Sequence, residues 1–100
     1  MRVTGWRNGT PKATGSGYGI RITRKDRDRY FKPEWDSVYI QTDKDTIEIK
    51  LSSSFWKNCK ELRSSELGKW MIEKGIAPWA PRKTPSMILE SLGNRKFRLR

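Results

Sequence analysis

The lysines and arginines of this sequence are the side chains best suited to binding chemistry, and they are concentrated at the two ends of the chain. Residues 1–32 hold nine of them against two aspartates, a net charge of +7, and residues 76–100 hold six against one glutamate, a net charge of +5. The central stretch, 33–75, carries a net charge of −1. If both ends fold onto one face, that face attracts polyanions strongly. The charge pattern therefore predicts nucleic acid as the class of partner.

Two sets of residues are the candidate nucleic-acid contacts. Arginine and lysine bind backbone phosphates, and such contacts weaken as salt rises. The candidate phosphate contacts lie on predicted strands or at the start of a helix: Arg21, Arg24, Lys25, Lys96 and Arg98. Arginine and asparagine also read base edges in the major groove. The candidate base contacts lie in predicted loops: Arg7, Asn8, Lys12, Arg82 and Lys83.

Each of these patterns also has a structural interpretation. Isolated surface cations are usually solvated, and Asp26 and Asp28 can pair with neighbouring arginines and weaken the local field. Lys96, Arg98 and Arg100 recur at period two, as on one face of a strand. Such cations either lie under an anion or keep an edge strand from pairing with another chain. Among the five tryptophans, Trp6 is the one we expect at a ligand, because the others adjoin core residues or prolines.

Catalysis and metal binding have little support in the sequence. The chain has no histidine and one cysteine, Cys59, which excludes an internal disulfide and argues against a zinc site. No cluster of carboxylates suits a metal-dependent nuclease. We therefore predict no catalytic residues, no metal and no cofactor. A small metal-independent ribonuclease toxin stays open as an alternative, because such enzymes can work with Glu, Arg, Lys and Tyr.

Hydropathy and the lone thiol bear on location. No apolar run approaches the 18 residues of a membrane span, so no membrane partner is expected. The first residues lack the apolar centre of a secretion signal, and one unpaired cysteine is typical of a reducing cytosol. The expected location is the cytoplasm, at the nucleoid, or the nucleus in a eukaryote.

Alternating apolar residues predict the elements that must position the basic side chains. The predicted strands are 2–6, 18–23, 37–42, 46–51, 86–92 and 96–100. One helix is predicted over 25–31, and a second helical segment over 55–74 with starts after Ser54 and Ser64. Residues 7–19 are predicted to be a flexible arm or loop, and the prolines of 77–86 an irregular crossing. The chain of 100 residues is one domain, predicted as an α+β fold: a small open β-barrel of short, mostly antiparallel strands with two helical segments.

The order of elements resembles the DNA-binding pseudobarrel superfamily, which includes plant auxin-response-type domains and target-reading domains of some restriction enzymes. The matching stretches are YGIRITRKDRDRYFKPEWDSVYIQTDKDTIEIKL, FWKNCKELRSSELGKWMIEKG and SMILESLGNRKFRLR. The resemblance implies two arms that reach into the major groove. The first would be residues 7–16 and the second a loop of the second half, where this chain has a proline-rich loop at 78–85. The front half alone also resembles the swapped-hairpin transition-state regulators of bacteria, which are obligate dimers.

The expected function is binding of double-stranded DNA through a basic face built from both ends of the chain. Three alternatives stay open: the ribonuclease toxin, a binder of RNA or single strands, and a module that docks an acidic protein. The oligomeric state is left open as well.

Overall fold

The structure, a computed structural model, describes residues 1–58 and 60–100. Within these residues the chain forms seven strands and three helices. The strands are β1 (Arg2–Arg7), β2 (Tyr18–Arg21), β3 (Ser37–Gln41), β4 (Thr46–Lys50), β5 (Glu61–Arg63), β6 (Ser86–Gly93) and β7 (Lys96–Leu99). The helices are α1 (Arg24–Tyr30), α2 (Ser53–Lys57) and α3 (Ser65–Glu73).

The strands form one sheet that curls into a nearly closed barrel. Its order is β4-β3-β7-β6-β1-β2-β5, and every pair is antiparallel except β3 with β7. The two end strands, β4 and β5, approach each other without a ladder of hydrogen bonds, which leaves one open seam. The predicted class, an α+β fold built on a small open barrel, is confirmed.

The first strand joins the two halves of the barrel. β1 pairs with β2 on one side and with β6 on the other, in a register that places Arg2 opposite Ile88. The terminal amino group extends this pairing, because the Met1 nitrogen donates to the Leu89 carbonyl at 2.8 Å. The front and back thirds of the chain are therefore neighbours in the sheet.

Strand alternation fills the barrel with branched aliphatic residues and closes one end with aromatic rings. Ile20, Ile40 and Leu89 are fully buried inside. At the end of α1, the Phe31 ring stacks on Phe97 at 4.7 Å between centroids and touches Phe55 at 5.2 Å. Such pairs add about 0.5–1.5 kcal/mol each beyond the area that they bury.

One arginine of the basic RKDRDR stretch is part of the interior. Arg27 on α1 is 5% exposed, and its Nη1 donates to the Phe55 carbonyl at 3.0 Å. Phe55 lies in α2, whose last carbonyls lack partners within the helix, so Arg27 satisfies one of them. The guanidinium also pairs with Asp28 at 3.0 Å and lies over the Trp56 ring. Arg27 is therefore unavailable to a ligand, and the expected pairing of Asp28 with a neighbouring arginine is confirmed.

The prediction of a helix over 55–63 is wrong. α2 ends at Lys57, and residues 61–63 form β5, which pairs with β2 so that Leu62 lies opposite Ile20 in the core. Gly19 makes this pairing close, since a Cβ at that position would lie 2.3 Å from the Leu62 carbonyl oxygen. Partners distant in sequence thus override the local helical spacing. Cys59, which falls within the predicted helix, lies outside the described residues.

The edge-strand interpretation of Lys96, Arg98 and Arg100 is also wrong. β7 lies in the interior of the sheet, parallel to β3 on one side and antiparallel to β6 on the other. The backbone of β7 is already paired on both sides, so its outward cations are not needed to keep it from pairing with another chain.

The loop between β1 and β2, the predicted arm, lies against α3. It is closed by backbone hydrogen bonds from Asn8 to Gly17 (2.9 Å) and from Lys12 to Ser16 (2.8 Å). At its centre Gly15 meets Gly68 of α3, where a Cβ on Gly68 would lie 2.0 Å from the Gly15 carbonyl oxygen. Movement of this loop as a flexible arm stays a prediction.

We expect Gly68→Ala to destabilise the protein by at least about 1 kcal/mol, because the added methyl group displaces the Gly15 backbone. In a helix with no neighbour at this position, the same change would stabilise the protein by about 1 kcal/mol. The sign of the change in unfolding free energy therefore shows whether the loop packs against α3. Urea unfolding measures it. Gly9→Ala is the control, since its Cβ would meet nothing within 4 Å. Stabilisation by Gly68→Ala would show that the loop does not pack on α3.

The turn between β3 and β4 is held to the other end of α3 by charge. Asp43 accepts a hydrogen bond from the Trp70 indole at 2.7 Å and pairs with Lys74. Lys44 pairs with Glu73 at 3.0 Å. The Lys74 ammonium first, and then the Trp70 indole, hold the pKa of the Asp43 carboxyl below its ordinary value.

The lowered pKa of Asp43 makes part of the stability depend on pH. The unfolded chain binds this proton more readily, with a pKa of about 3.9, so the stabilisation is present above that pH and is lost as the pH falls through the folded pKa. We expect wild type to lose more stability between pH 6 and pH 3 than Asp43→Asn does. Urea midpoints at the two pH values measure this. Asp45→Asn, which removes a carboxylate from the same turn, is the control, and equal losses in all three proteins would contradict the expectation.

Candidate nucleic-acid interface

Three neighbouring strands present a group of charged side chains on the outside of the barrel. The registers place Thr4, Arg21 and Glu61 in one row across β1, β2 and β5. The next row holds Trp6 and Arg63, with Gly19 between them. We call this area, together with the adjoining loop 80–84, the Trp6 surface.

One carboxylate supports both arginines of this surface. Glu61 lies 3.5 Å from the Arg21 Nε and 4.0 Å from an Arg63 Nη. Its side chain is 7% exposed, whereas those of Arg21 and Arg63 are 57% and 48% exposed. A covered carboxylate thus positions two cations whose outer sides remain open to solvent.

The Trp6 ring is half-buried and carries the Arg63 guanidinium 5.1 Å from its centroid. A depression of about 380 Å³ on one side of the ring is lined by Asn8, Ser64 and Ser65 among others. On its other side a depression of about 450 Å³ reaches Arg21 and the 79–84 segment. Trp6 therefore stands between the β1–β2 loop and the proline-rich loop, and both loops carry predicted contacts.

The predicted base contact Arg7 has a structural task. Its Nη1 donates to the Trp79 carbonyl at 2.8 Å, and the guanidinium lies 5.2 Å from the centroid of the Trp79 ring. The same ring packs on Tyr18 at 5.7 Å. Arg7 thus fixes the proline-rich loop along β1, and its side chain is only partly exposed.

Arg82 and Lys83 lie at the exposed tip of that loop. The Lys83 nitrogen donates to the Ala80 carbonyl at 3.0 Å, which closes a turn with Pro81 and Arg82 at its centre. Arg82 has a φ of +65°, and glycine is the residue normally favoured at that position of a proline-led turn. A left-handed conformation costs a non-glycine residue about 1–2 kcal/mol. The chain therefore places an arginine where glycine would be more stable.

The other predicted contacts lie further from Trp6. Lys12 is exposed in the β1–β2 loop, and Arg24 and Lys25 are exposed in the first turn of α1. Lys96 and Arg98 project from β7, which is three strand steps from β2. At about 4.8 Å a step this is roughly 14 Å along the sheet. Because the sheet is nearly closed, Lys96 and Arg98 lie almost halfway round the barrel from Arg21.

The cations of the last strand form a second group, which we call the β7 surface. Arg100 pairs with Glu90 at 2.7 Å, and Glu90 also lies opposite Arg98 in the register. The two ends of the chain are neighbours, but Arg21 of the front third and Arg98 of the back third lie on two different surfaces. The structure brings together the segments that carry Arg7, Asn8, Arg21, Arg82 and Lys83, and it separates them from Lys96 and Arg98.

Sequence reasoning missed Arg63 and Glu61 because both fell within the wrongly predicted helix. An alternation of charge around Leu62 is their only strand signal, and three residues are too few to establish a period.

Comparisons with protein-family models, with curated proteins and with solved structures found no match to this chain. The barrel is compatible with a pseudobarrel, and the resemblance rests on the order of its elements. In the described part of the chain no helix has the length and apolarity to cross a membrane. The same residues contain no group of three His, Cys, Asp or Glu side chains placed to hold a metal ion.

Proposed function

We propose that this protein binds double-stranded DNA through the Trp6 surface. The observation that carries the proposal is that exposed Arg21 and Arg63 flank Trp6 and share one covered carboxylate, Glu61. Thr84, in the loop that bears Arg82 and Lys83, lines the same depression as Arg21. Arg21, Arg63 and Lys83 would bind backbone phosphates and fix the orientation. Arg82 would enter the major groove, where its guanidinium matches guanine.

Two features favour a duplex over a single strand or an RNA helix. Proteins that hold single strands stack successive bases on open aromatic faces, whereas here Arg63 lies over the Trp6 ring and Arg7 lies over the neighbouring Trp79 ring. The major groove of an RNA helix is too deep and narrow for a turn such as 80–83 to read. On this proposal the protein acts where DNA is kept, in the cytoplasm at the nucleoid or in a nucleus.

The ribonuclease alternative would use Glu61 as a general base beside two phosphate-binding arginines. Its side chain is 7% exposed and both oxygens face arginine, so a substrate hydroxyl would have to displace one of them. Incubation with labelled RNA without metal tests this directly, and cleavage that Glu61→Gln abolishes would replace the DNA-binding proposal. A gel-shift panel of duplex DNA, single-stranded DNA and duplex RNA at two salt concentrations ranks the partners. If the protein binds an acidic protein and no duplex displaces that partner at physiological salt, the acidic-protein alternative is favoured.

We expect Arg21→Ala and Arg63→Ala each to weaken binding to every duplex and to lower the salt slope by about one unit, because each removes a phosphate contact. Glu61→Gln should also weaken binding to every duplex, because it removes the charge that positions both arginines. Fluorescence anisotropy over a salt series measures all three. Arg98→Ala on the β7 surface is the matched control, and we expect it to leave the salt slope of binding unchanged. A lower slope in Arg98→Ala alone would move the interface to the β7 surface.

We expect Arg82→Gly to raise stability by about 0.5–1 kcal/mol, because glycine relieves the left-handed backbone. The same variant should bind its preferred duplex about tenfold or more weakly and lose base preference, since a bidentate guanine contact is worth about 1–3 kcal/mol. Selection from random duplexes and thermal unfolding measure the two effects. Asn94→Gly, at another left-handed position, is the control for backbone relief. A stabilised Arg82→Gly with unchanged affinity would remove Arg82 from the interface.

A further inference from the structure

A cavity of about 540 Å³ lies at the end of the barrel away from the β1–β2 loop. One wall is the segment that leads from α1 into β3, and the other is the turn between β6 and β7. Its volume is within the range of small-molecule sites. The cavity therefore joins the front and back thirds of the chain at a second place, separate from the Trp6 surface.

The cavity is lined by charges of both signs. Arg29, Lys32 and Arg95 contribute three cations, and Glu34 and Asp36 contribute two carboxylates. Among the described residues, the side chains of these five form neither an ion pair within 4.0 Å nor a hydrogen bond, although six ion pairs occur elsewhere. Opposite charges that face one cavity without pairing suit a ligand that carries both an anionic group and hydrogen-bond donors.

Aromatic rings form the apolar part of the lining. Tyr30 carries the Arg29 guanidinium 5.3 Å from its ring centroid. Trp35 is half-buried and packs edge-on against Phe31 at 6.3 Å, which anchors it to the core. Two rings beside cations and carboxylates provide a stacking surface for a planar polar group.

The turn that carries Arg95 is strained. Gly93, Asn94 and Arg95 have φ values of +80°, +56° and +65°. A two-residue hairpin turn with positive φ at both centres normally has glycine at the second position, where this chain has arginine. The Arg95 guanidinium lies 5.5 Å from the centroid of the Tyr39 ring, and Arg95 also contributes to the lining of the cavity. Strain of this kind is concentrated at functional sites.

We infer that this cavity binds a nucleoside monophosphate unit whose base carries an amino group. The cations would hold the phosphate, the rings would stack on the base, and Glu34 or Asp36 would accept a hydrogen bond from the amino group, as carboxylates do from cytosine. The unit is either a free nucleotide or an unpaired nucleotide in a DNA strand. The inference goes beyond duplex binding and does not rest on the Trp6 surface.

Calorimetric titration with the four deoxynucleoside monophosphates, with deoxycytidine and with inorganic phosphate tests the inference. The nucleotides with amino groups should bind, and thymidine monophosphate and phosphate alone should bind about tenfold more weakly or not at all. In ¹⁵N-resolved NMR spectra the Trp35 indole and the Gly93 and Asn94 amides should shift. Inorganic phosphate binding as tightly as the nucleotides, or shifts confined to other residues, would overturn the inference.

Arg95→Gly is the decisive variant, because glycine suits this turn and Tm should stay equal or rise. A loss of binding therefore cannot be a folding failure. We expect about tenfold weaker nucleotide binding in Arg95→Gly. Glu34→Gln should weaken discrimination against thymidine monophosphate, with Glu66→Gln on α3 as the control. Unchanged affinity in Arg95→Gly would overturn the inference.

A duplex with one unpaired cytidine, compared with its fully paired form, separates the two sources of the nucleotide. A preference for the bulged duplex that Arg95→Gly removes identifies a strand as the source. No preference, together with binding of free cytidine monophosphate, identifies the free nucleotide. Absence of both overturns the inference, whereas loss of paired-duplex binding alone affects only the proposal for the Trp6 surface.

Discussion

The pairing of β1 with β6 is the constraint on which the rest of the structure depends. It joins the β4-β3-β7-β6 half of the sheet to the β1-β2-β5 half, between residues more than eighty positions apart. Such a contact closes a long loop and costs chain entropy. The burial of Val3, Met87 and Leu89 at the join offsets that cost. The approach of the proline-rich loop to Trp6 follows from this ladder.

Among the described residues, the non-glycine residues with a left-handed backbone, Arg82, Asn94 and Arg95, all lie in turns. Arg82 and Arg95 both have a left-handed backbone in turns where glycine is the favoured residue, and each lies beside a group of unpaired or open cations. Elsewhere the chain uses glycine where the backbone requires it, as at the contact of Gly15 with Gly68. Glycine thus occurs at other positions where the backbone requires it, whereas positions 82 and 95 carry arginine. A side chain retained at an energetic cost to the backbone indicates a task for that side chain.

Local signals in the sequence were sufficient for most elements. Alternation located six strands, and the side-chain oxygen of Ser64 caps α3 at the predicted start, at 3.4 Å. The Thr23 oxygen caps α1 in the same way at 3.2 Å. What failed depended on distant partners. β5 exists because Gly19 admits its backbone, and Arg27 is buried because α2 offers a free carbonyl. Two residues of the candidate site, Glu61 and Arg63, were not predicted for the same reason, because they lie on β5, which is too short to show a periodic pattern.

The strand order explains why cations from the two ends of the chain form two separate surfaces, the Trp6 surface and the β7 surface. Among the described strands, the front third supplies β1 and β2 and the back third supplies β6 and β7, and these two pairs of strands are joined in the sheet through β1 and β6. Cations on the outer member of each pair, Arg21 and Arg98, therefore diverge round a nearly closed barrel. A straight duplex touches one side of such a body. Glu90 lies among the cations of the β7 surface and pairs with one of them, whereas Glu61 is covered and holds two arginines outward. For the proposed binding of a duplex, that difference, rather than the count of charges, supports the Trp6 surface over the β7 surface.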